Sequence, residues 1–383
     1  MHIDLHHRIR AAVRALMAPV ASTRSPIATE PYYLKSVRAP SRFQPDARPG
    51  TFVFFIEVAP KGGGGLSDIL HLGQELEKLY KVQVSYRVTG PQVYEEAVEA
   101  ILWTDPSVRR DQIIEELSFI PEFLCATAWP TAYQVRETPS ARKVYFVQDD
   151  EPRFFKAGLK QYYAEASYGL GLRIFTLGPW LARDLSQRHG LEDVVAMPFP
   201  CSDNPMLGRS WSDRDTVAVY IQPDKEHRGS ELLVEALRRI RAETSLRDLR
   251  VVVFGSRAND FLLPDVDCDW RGLLDQSEMV DLLSRTRVGV CASFTNISLL
   301  TYRFLAHGCV AVDLDLPNVG ENLPPPLRRL TELVEPMPEA VAGAILKWAR
   351  QEPSHASRVD GMETLAHAHT WTACAQSLAP LFA

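Results

Sequence analysis

At 383 residues the chain is long for one hydrophobic core, so two domains are expected. Hydrophobic residues make up 46% and charged residues 23%, an ordinary globular balance, and the net charge of −6 gives no electrostatic reason to expect nucleic acid as a partner. The cysteines, Cys125, Cys201, Cys268, Cys291, Cys309 and Cys374, are scattered without a C-x-x-C pair, which disfavours a disulfide framework and fits a reduced, cytoplasmic setting. No apolar run reaches the ~18–20 residues that a membrane-spanning helix needs, and no signal peptide is legible.

The first 45 residues read as an N-terminal extension. Within it Ile9, Val13, Leu16, Met17 and Val20 recur at helical spacing beside Arg8, Arg10 and Arg14. Such a basic amphipathic helix docks on its own protein or a partner, or lies peripherally on an anionic membrane surface. From residue 46 the pattern becomes strand, glycine loop, helix, strand: Thr51–Val58, Lys61–Gly65, Leu66–Tyr80 and Val82–Val88. A right-handed crossover makes that pair of strands parallel. Further strands are expected at Phe123–Ala128, Val144–Gln148, Arg173–Leu177 and Val194–Met197, before a proline-rich linker, Pro198–Pro205, closes a first domain of residues 46–205.

The alternation then restarts. Strands are expected at Thr216–Ile221, Arg250–Phe254, Val288–Ala292 and Val310–Leu314, with helices at Ser230–Arg241, Met279–Leu283 and Leu299–Ala306. These give a second domain of residues 206–362, followed by a helical tail from Glu363 to Phe382. The fold class is therefore α/β, with two Rossmann-like doubly wound domains facing across a cleft.

Ligands of such sheets bind at the carboxyl ends of the strands. The run Lys143–Val147 ends there in Gln148-Asp149-Asp150-Glu151-Pro152, three consecutive acids that are costly to crowd unless they face water or a ligand. The tetraglycine ending in Gly63, Gly64 and Gly65 opens a helix, so backbone N–H groups and the dipole are available to a ligand. It is neither a P-loop nor a G-x-G-x-x-G fingerprint. No zinc, kinase or hydrolase motif is present, and no metal is expected. Asp313-Leu314-Asp315 and the acids of Asp265–Asp269 read as surface groups.

The acidic run, with Tyr162–Tyr168 and Arg173–Leu181 after it, resembles the rhamnosyltransferases that build bacterial surface polysaccharides, retaining glycosyltransferases of the GT-B fold. That resemblance is dense from about Val144 to Asn204. It implies a nucleotide-sugar donor, most simply dTDP-L-rhamnose, on the second domain and a lipid-linked glycan acceptor on the first. It also implies a C-terminal helix, residues 363–383, that crosses back to the first domain. Asp149, Asp150 and Glu151 would orient acceptor or donor hydroxyls. Lys225 and Arg228 would hold the diphosphate, with Gly255 and Ser256 close to the nucleotide. Thr295, Asn296, Ser298, Leu299 and Arg303 align with the donor-binding helix, but Thr295 and Arg303 stand where many relatives carry two glutamates. An arginine cannot accept a hydrogen bond from ribose, so that contact is made differently or is missing. Two other readings stand beside this one: a GT-B-like subunit that binds glycan or a partner transferase without catalysis, and a GT-B sugar epimerase.

Overall fold

The computed structural model describes Tyr33 and residues 46–201, 209–241, 250–256, 266 and 268–383. The amphipathic segment Leu5–Val20 lies outside the described residues. Two six-stranded sheets form the frame, and every strand pairing in them is parallel. The first holds β1 (Ala47–Ile56), β2 (Gln83–Val88), β3 (Ile120–Ala126), β4 (Arg142–Val147), β5 (Arg173–Leu177) and β6 (Val195–Met197), in the order β2-β1-β3-β4-β5-β6. The second holds β7 (Thr216–Tyr220), β8 (Arg250–Phe254), β9 (Asp269–Gly272), β10 (Thr286–Val290), β11 (Val310–Leu314) and β12 (Thr331–Val334), in the order β12-β11-β10-β7-β8-β9.

Each order reverses once, between β1 and β3 in the first sheet and between β7 and β10 in the second. A crevice opens at the carboxyl ends of strands at such a reversal.

The strands are apolar along their whole inner length because both faces are covered. Phe52, Val53, Phe54, Phe55 and Ile56 of β1 are all buried, the signature of a parallel sheet between helical layers. Gly289 of β10 shows how tight the second sandwich is. A Cβ there would lie 2.1 Å from the Phe304 ring, so the helix Leu299–Ala306 can sit on the strand only over a glycine. The two domains share apolar packing: Phe199, in the connection after β6, stacks on Tyr302 of that helix with ring centroids 5.0 Å apart.

Short or charged elements escape the sequence pattern. Strands β9 and β12 and the helices Tyr94–Thr104, Trp129–Glu137, Leu159–Ser167, Pro179–His189 and Pro338–Arg350 are additions of the structure. The helical tail is three helices, His355–Ala368, Trp371–Ser377 and Ala379–Phe382. Thr370 breaks it by capping the second piece, accepting a hydrogen bond from the Ala373 N–H at 3.1 Å, and Pro380 sits at the start of the third. These last pieces pack on the first domain, where Tyr80 stacks on Phe382 and donates to the Ala375 carbonyl at 3.0 Å.

Asp313 is a correction to the surface reading. It is fully buried and accepts hydrogen bonds from the Ser293 N–H and hydroxyl, both at 2.9 Å, and from Thr301 at 3.0 Å, tying the end of β11 to the loop after β10. Asp315 is exposed, and Asp269 is half-buried between Arg250 and Arg271.

Candidate functional site

The cleft between the sheets contains two cavities of about 560 Å³ and 700 Å³, and Asp68 and Leu299 line both. The waist between them is built from the starts of two helices, one from each domain. Gly64 opens Gly64–Tyr80, Leu299 opens Leu299–Ala306, and a Cβ on Gly64 would lie 3.9 Å from the Leu299 Cδ1. Gly63 caps the first helix without a side-chain bond, so the orphan N–H groups of its first turn remain for a ligand. In the second, the Ser298 hydroxyl accepts from the Leu300 N–H at 3.3 Å and the Ser298 N–H donates to the Ser293 hydroxyl at 3.1 Å. Ser298 is thus occupied in shaping the turn. Two helix N-termini aimed at one point favour an anion there.

The smaller cavity is mostly apolar on the side of the second domain, where Tyr220, Phe254, Leu274 and Met279 form its wall. Gly255 has φ +115°, and a Cβ there would lie 2.5 Å from the Tyr220 ring, so only glycine lets the chain turn away from β8 at this point. Arg303 reaches this cavity and donates to the Gln276 side-chain carbonyl at 3.0 Å. Gly63 and Gly64 line it from the first domain, and Trp103 stands half-exposed on the rim opposite Leu273.

The larger cavity carries the charge. Arg228 and Lys225 line it from the second domain, and Asp149 and Glu151 from the first. Arg228 donates to the Asp149 Oδ2 at 3.2 Å and to the Asn296 carbonyl at 3.2 Å, so one ion pair spans the cleft. Beside it Phe154 stacks on His227 with centroids 4.1 Å apart, and burial with the neighbouring Arg228 pushes the His227 pKa down to about 3, leaving it neutral. Burial raises Asp149 against the pull of Arg228, and burial together with Arg228 lowers Lys225.

Glu151 is held more firmly. Its Oε2 accepts the Trp129 N–H at 2.6 Å and the Tyr145 hydroxyl at 3.2 Å. Burial pushes its pKa up to about 8, with the carboxylate of Glu57 adding to the rise, and burial pushes Glu57 itself up to about 7.

Besides Ser298, four expected residues line neither cavity. Asp150 does not line either cavity: it is wholly buried and paired with Arg153 at 2.7 Å and Arg188 at 2.8 Å inside the first domain. The tight turn Glu151–Phe154 that follows β4 swings it inward, away from any substrate. Asn296 is an interdomain strut, its Nδ2 donating to the carbonyls of Gln148 at 3.0 Å and Leu177 at 2.9 Å. Thr295 and Ser256 are buried beside the cavities without lining them. Gly65 does line the larger cavity, under the Gln148 side chain.

Sequence reasoning missed Asp68, Glu57, Gln148 and Trp103. Glu57 and Gln148 follow β1 and β4 and obey the same strand-end logic that singled out the acidic run. Asp68 and Trp103 gave no signal, being single residues inside helical patterns. Among the described residues, no three His, Cys, Asp or Glu side chains are grouped as metal ligands, and no helix is long and apolar enough to cross a membrane.

No family model matches the sequence. The chain is similar to the O-antigen biosynthesis protein RfbC of Myxococcus xanthus, 31% identical over 216 residues, which is 53% of this chain and 16% of the length of that relative. Among solved structures, Anabaena HepE in complex with UDP superposes with a TM-score of 0.62 at 10% identity, over 87% of this chain and 99% of that one. WaaG, a glycosyltransferase involved in lipopolysaccharide biosynthesis, superposes with a TM-score of 0.60 at 11% identity, over 86% and 99%. With two doubly wound sheets facing across a cleft, the chain has the GT-B fold.

Proposed function

We propose that this chain is a glycosyltransferase of bacterial surface-polysaccharide synthesis, acting at the cytoplasmic side and moving L-rhamnose from dTDP-L-rhamnose onto a lipid-linked glycan. The observation that carries this reading is the waist. Two helix N-termini from opposite domains, flanked by Arg228 and Lys225, form a diphosphate site between a largely apolar cavity of nucleoside size and a charged cavity lined by Asp149 and Glu151. A sugar nucleotide has that sequence of parts. The similarity to RfbC and the UDP bound by HepE support the same order.

In the retaining course that the resemblance implies, the acceptor oxygen bonds to the anomeric carbon on the face from which the diphosphate departs. The bond from that carbon to the diphosphate oxygen breaks, the electron pair stays with the diphosphate, and the acceptor's proton passes to it. The protein's part is positioning and charge stabilisation. Arg228 and the helix N-termini take the growing charge, and the Glu151 Oε1, which no donor among the described residues holds, orients the acceptor hydroxyl.

Calorimetric titration with dTDP, UDP and GDP tests this. Binding of dTDP that is lost in Arg228→Ala is the expected result, and no binding of any of the three would overturn the reading. A second reading, a non-catalytic GT-B-like binding subunit, draws on the closed Arg228–Asp149 pair and on Arg303 in the smaller cavity. Release of rhamnose from the donor by the purified chain would separate the two.

A further inference from the structure

Asp68 is the residue at the waist with no evident structural employment. It lies in the second turn of the helix that Gly64 opens, lines both cavities, and is 3% exposed. Its Oδ2 is buried without a hydrogen-bond partner among the described residues. An unpaired buried polar atom bears its whole desolvation cost, and a helix N-terminus alone already supplies donors to an anion. An acidic side chain beside that anion is tolerable only if it carries a proton. Burial raises the Asp68 carboxyl well above the usual carboxylate range, the direction that favours the protonated form. A protonated carboxyl has an O–H to donate as well as an oxygen that accepts.

We propose that Asp68 is a ligand-binding residue of the waist, its carboxyl turning to donate a hydrogen bond to an oxygen of the donor's diphosphate and so giving its unpaired oxygen a partner. The proposal rests on the reading of the waist as the diphosphate site. The neutral acid joins the N–H groups of the two facing helix starts, so three kinds of donor converge on one anion without adding a fixed charge. Deprotonation would set a carboxylate against phosphate, and affinity therefore falls as the pH rises through the pKa of Asp68.

The titratable and charged groups around Asp68 are His71 on its own helix, Cys374 on the packed C-terminal segment, Asp275 and Arg303 across the smaller cavity, and Asp149, Glu151, Lys156, Asp224, Lys225, Glu226, His227 and Arg228 across the larger. A change at Asp68 leaves all of them in place. Asp68→Asn therefore isolates its contribution to any pH dependence.

The experiment is calorimetric titration of the full chain with dTDP at pH 7 and pH 9, for the wild type, Asp68→Ala, Asp68→Asn and Arg228→Ala, with the melting temperature of each unliganded protein. In Asp68→Ala the dTDP affinity drops about tenfold, the loss of one hydrogen bond to a charged group, while the melting temperature holds or rises because an unpaired polar atom has gone. Asp68→Asn, whose amide N–H can replace the acid as donor, stays within about twofold of wild type at pH 7 and weakens less than the wild type between pH 7 and pH 9, where Glu151 ionises in both. Wild-type dTDP affinity in Asp68→Ala, or an equal loss between the two pH values in Asp68→Asn and wild type, overturns the proposal. Undiminished dTDP binding in Arg228→Ala instead overturns the diphosphate reading beneath it.

Discussion

Glu151→Gln should make the protein more stable at neutral pH. The substitution keeps an oxygen where the Trp129 N–H and the Tyr145 hydroxyl donate, and it removes only the ability to ionise. Burial lifts the glutamate from 4.5 to about 8, so the folded state holds its proton to higher pH than the unfolded chain. The stability linked to that proton is fully present below 4.5 and is lost as the pH rises through about 8. The deficit grows with each unit above 4.5 until the folded group titrates, to about 1 kcal/mol at pH 5.5 and about 3 kcal/mol at pH 7. The glutamine variant escapes this deficit. Urea unfolding followed by tryptophan fluorescence at several pH values would show its midpoint converging on the wild type toward pH 4.5 and exceeding it increasingly up to pH 8. A gap between the two proteins that does not change with pH, or a variant less stable at pH 7, would refute the reasoning. Transfer should fall in the same variant above pH 8, where Glu151 ionises and the amide cannot supply the negative acceptor that orients a hydroxyl.

Asp150→Ala should cost about 2 kcal/mol of stability and leave nucleotide binding intact, because it strands Arg153 and Arg188, both partly open to water, rather than any substrate contact. Denaturant midpoints and dTDP calorimetry check this, and lost binding in a folded Asp150→Ala protein would return the residue to the site. Asp149→Asn should tighten dTDP binding by about fivefold or more, since the diphosphate no longer competes with a carboxylate for Arg228. Weaker binding in that variant would show that Asp149 helps to hold the ligand.

The alternation of apolar runs with glycine-punctuated helices made the two sheets legible, because parallel strands covered on both faces write themselves as continuous Val, Ile and Phe. Strand β9, Asp269-Trp270-Arg271-Gly272, has no such run and forms by pairing with β8 at the sheet edge. The acidic run marked the right strand end, but adjacency in sequence does not fix direction in a tight turn. Asp149 points across to Arg228, Asp150 inward to two arginines, and Glu151 to the Trp129 N–H. Asn296 sits at a helix start, which suggests a ligand, yet its partners are carbonyls 148 and 119 residues away in the chain. Contacts of that kind leave no local pattern to read.

Those Asn296 bonds also decide how the molecule can breathe. With the Trp180 N–H donating to Asn322, three hydrogen bonds join the domains along one side, through asparagines that are only 1% and 3% exposed. Swinging the domains apart there breaks all three bonds, at about 1 kcal/mol apiece, and also parts the Phe199–Tyr302 stack and the Arg183–Glu321 pair. The protein is bound like a book along its spine. Away from it, Trp103 and Leu273, 49% and 48% exposed, line the smaller cavity from the two domains. A ligand of the smaller cavity would pass two exposed side chains, and such side chains turn far faster than domains travel.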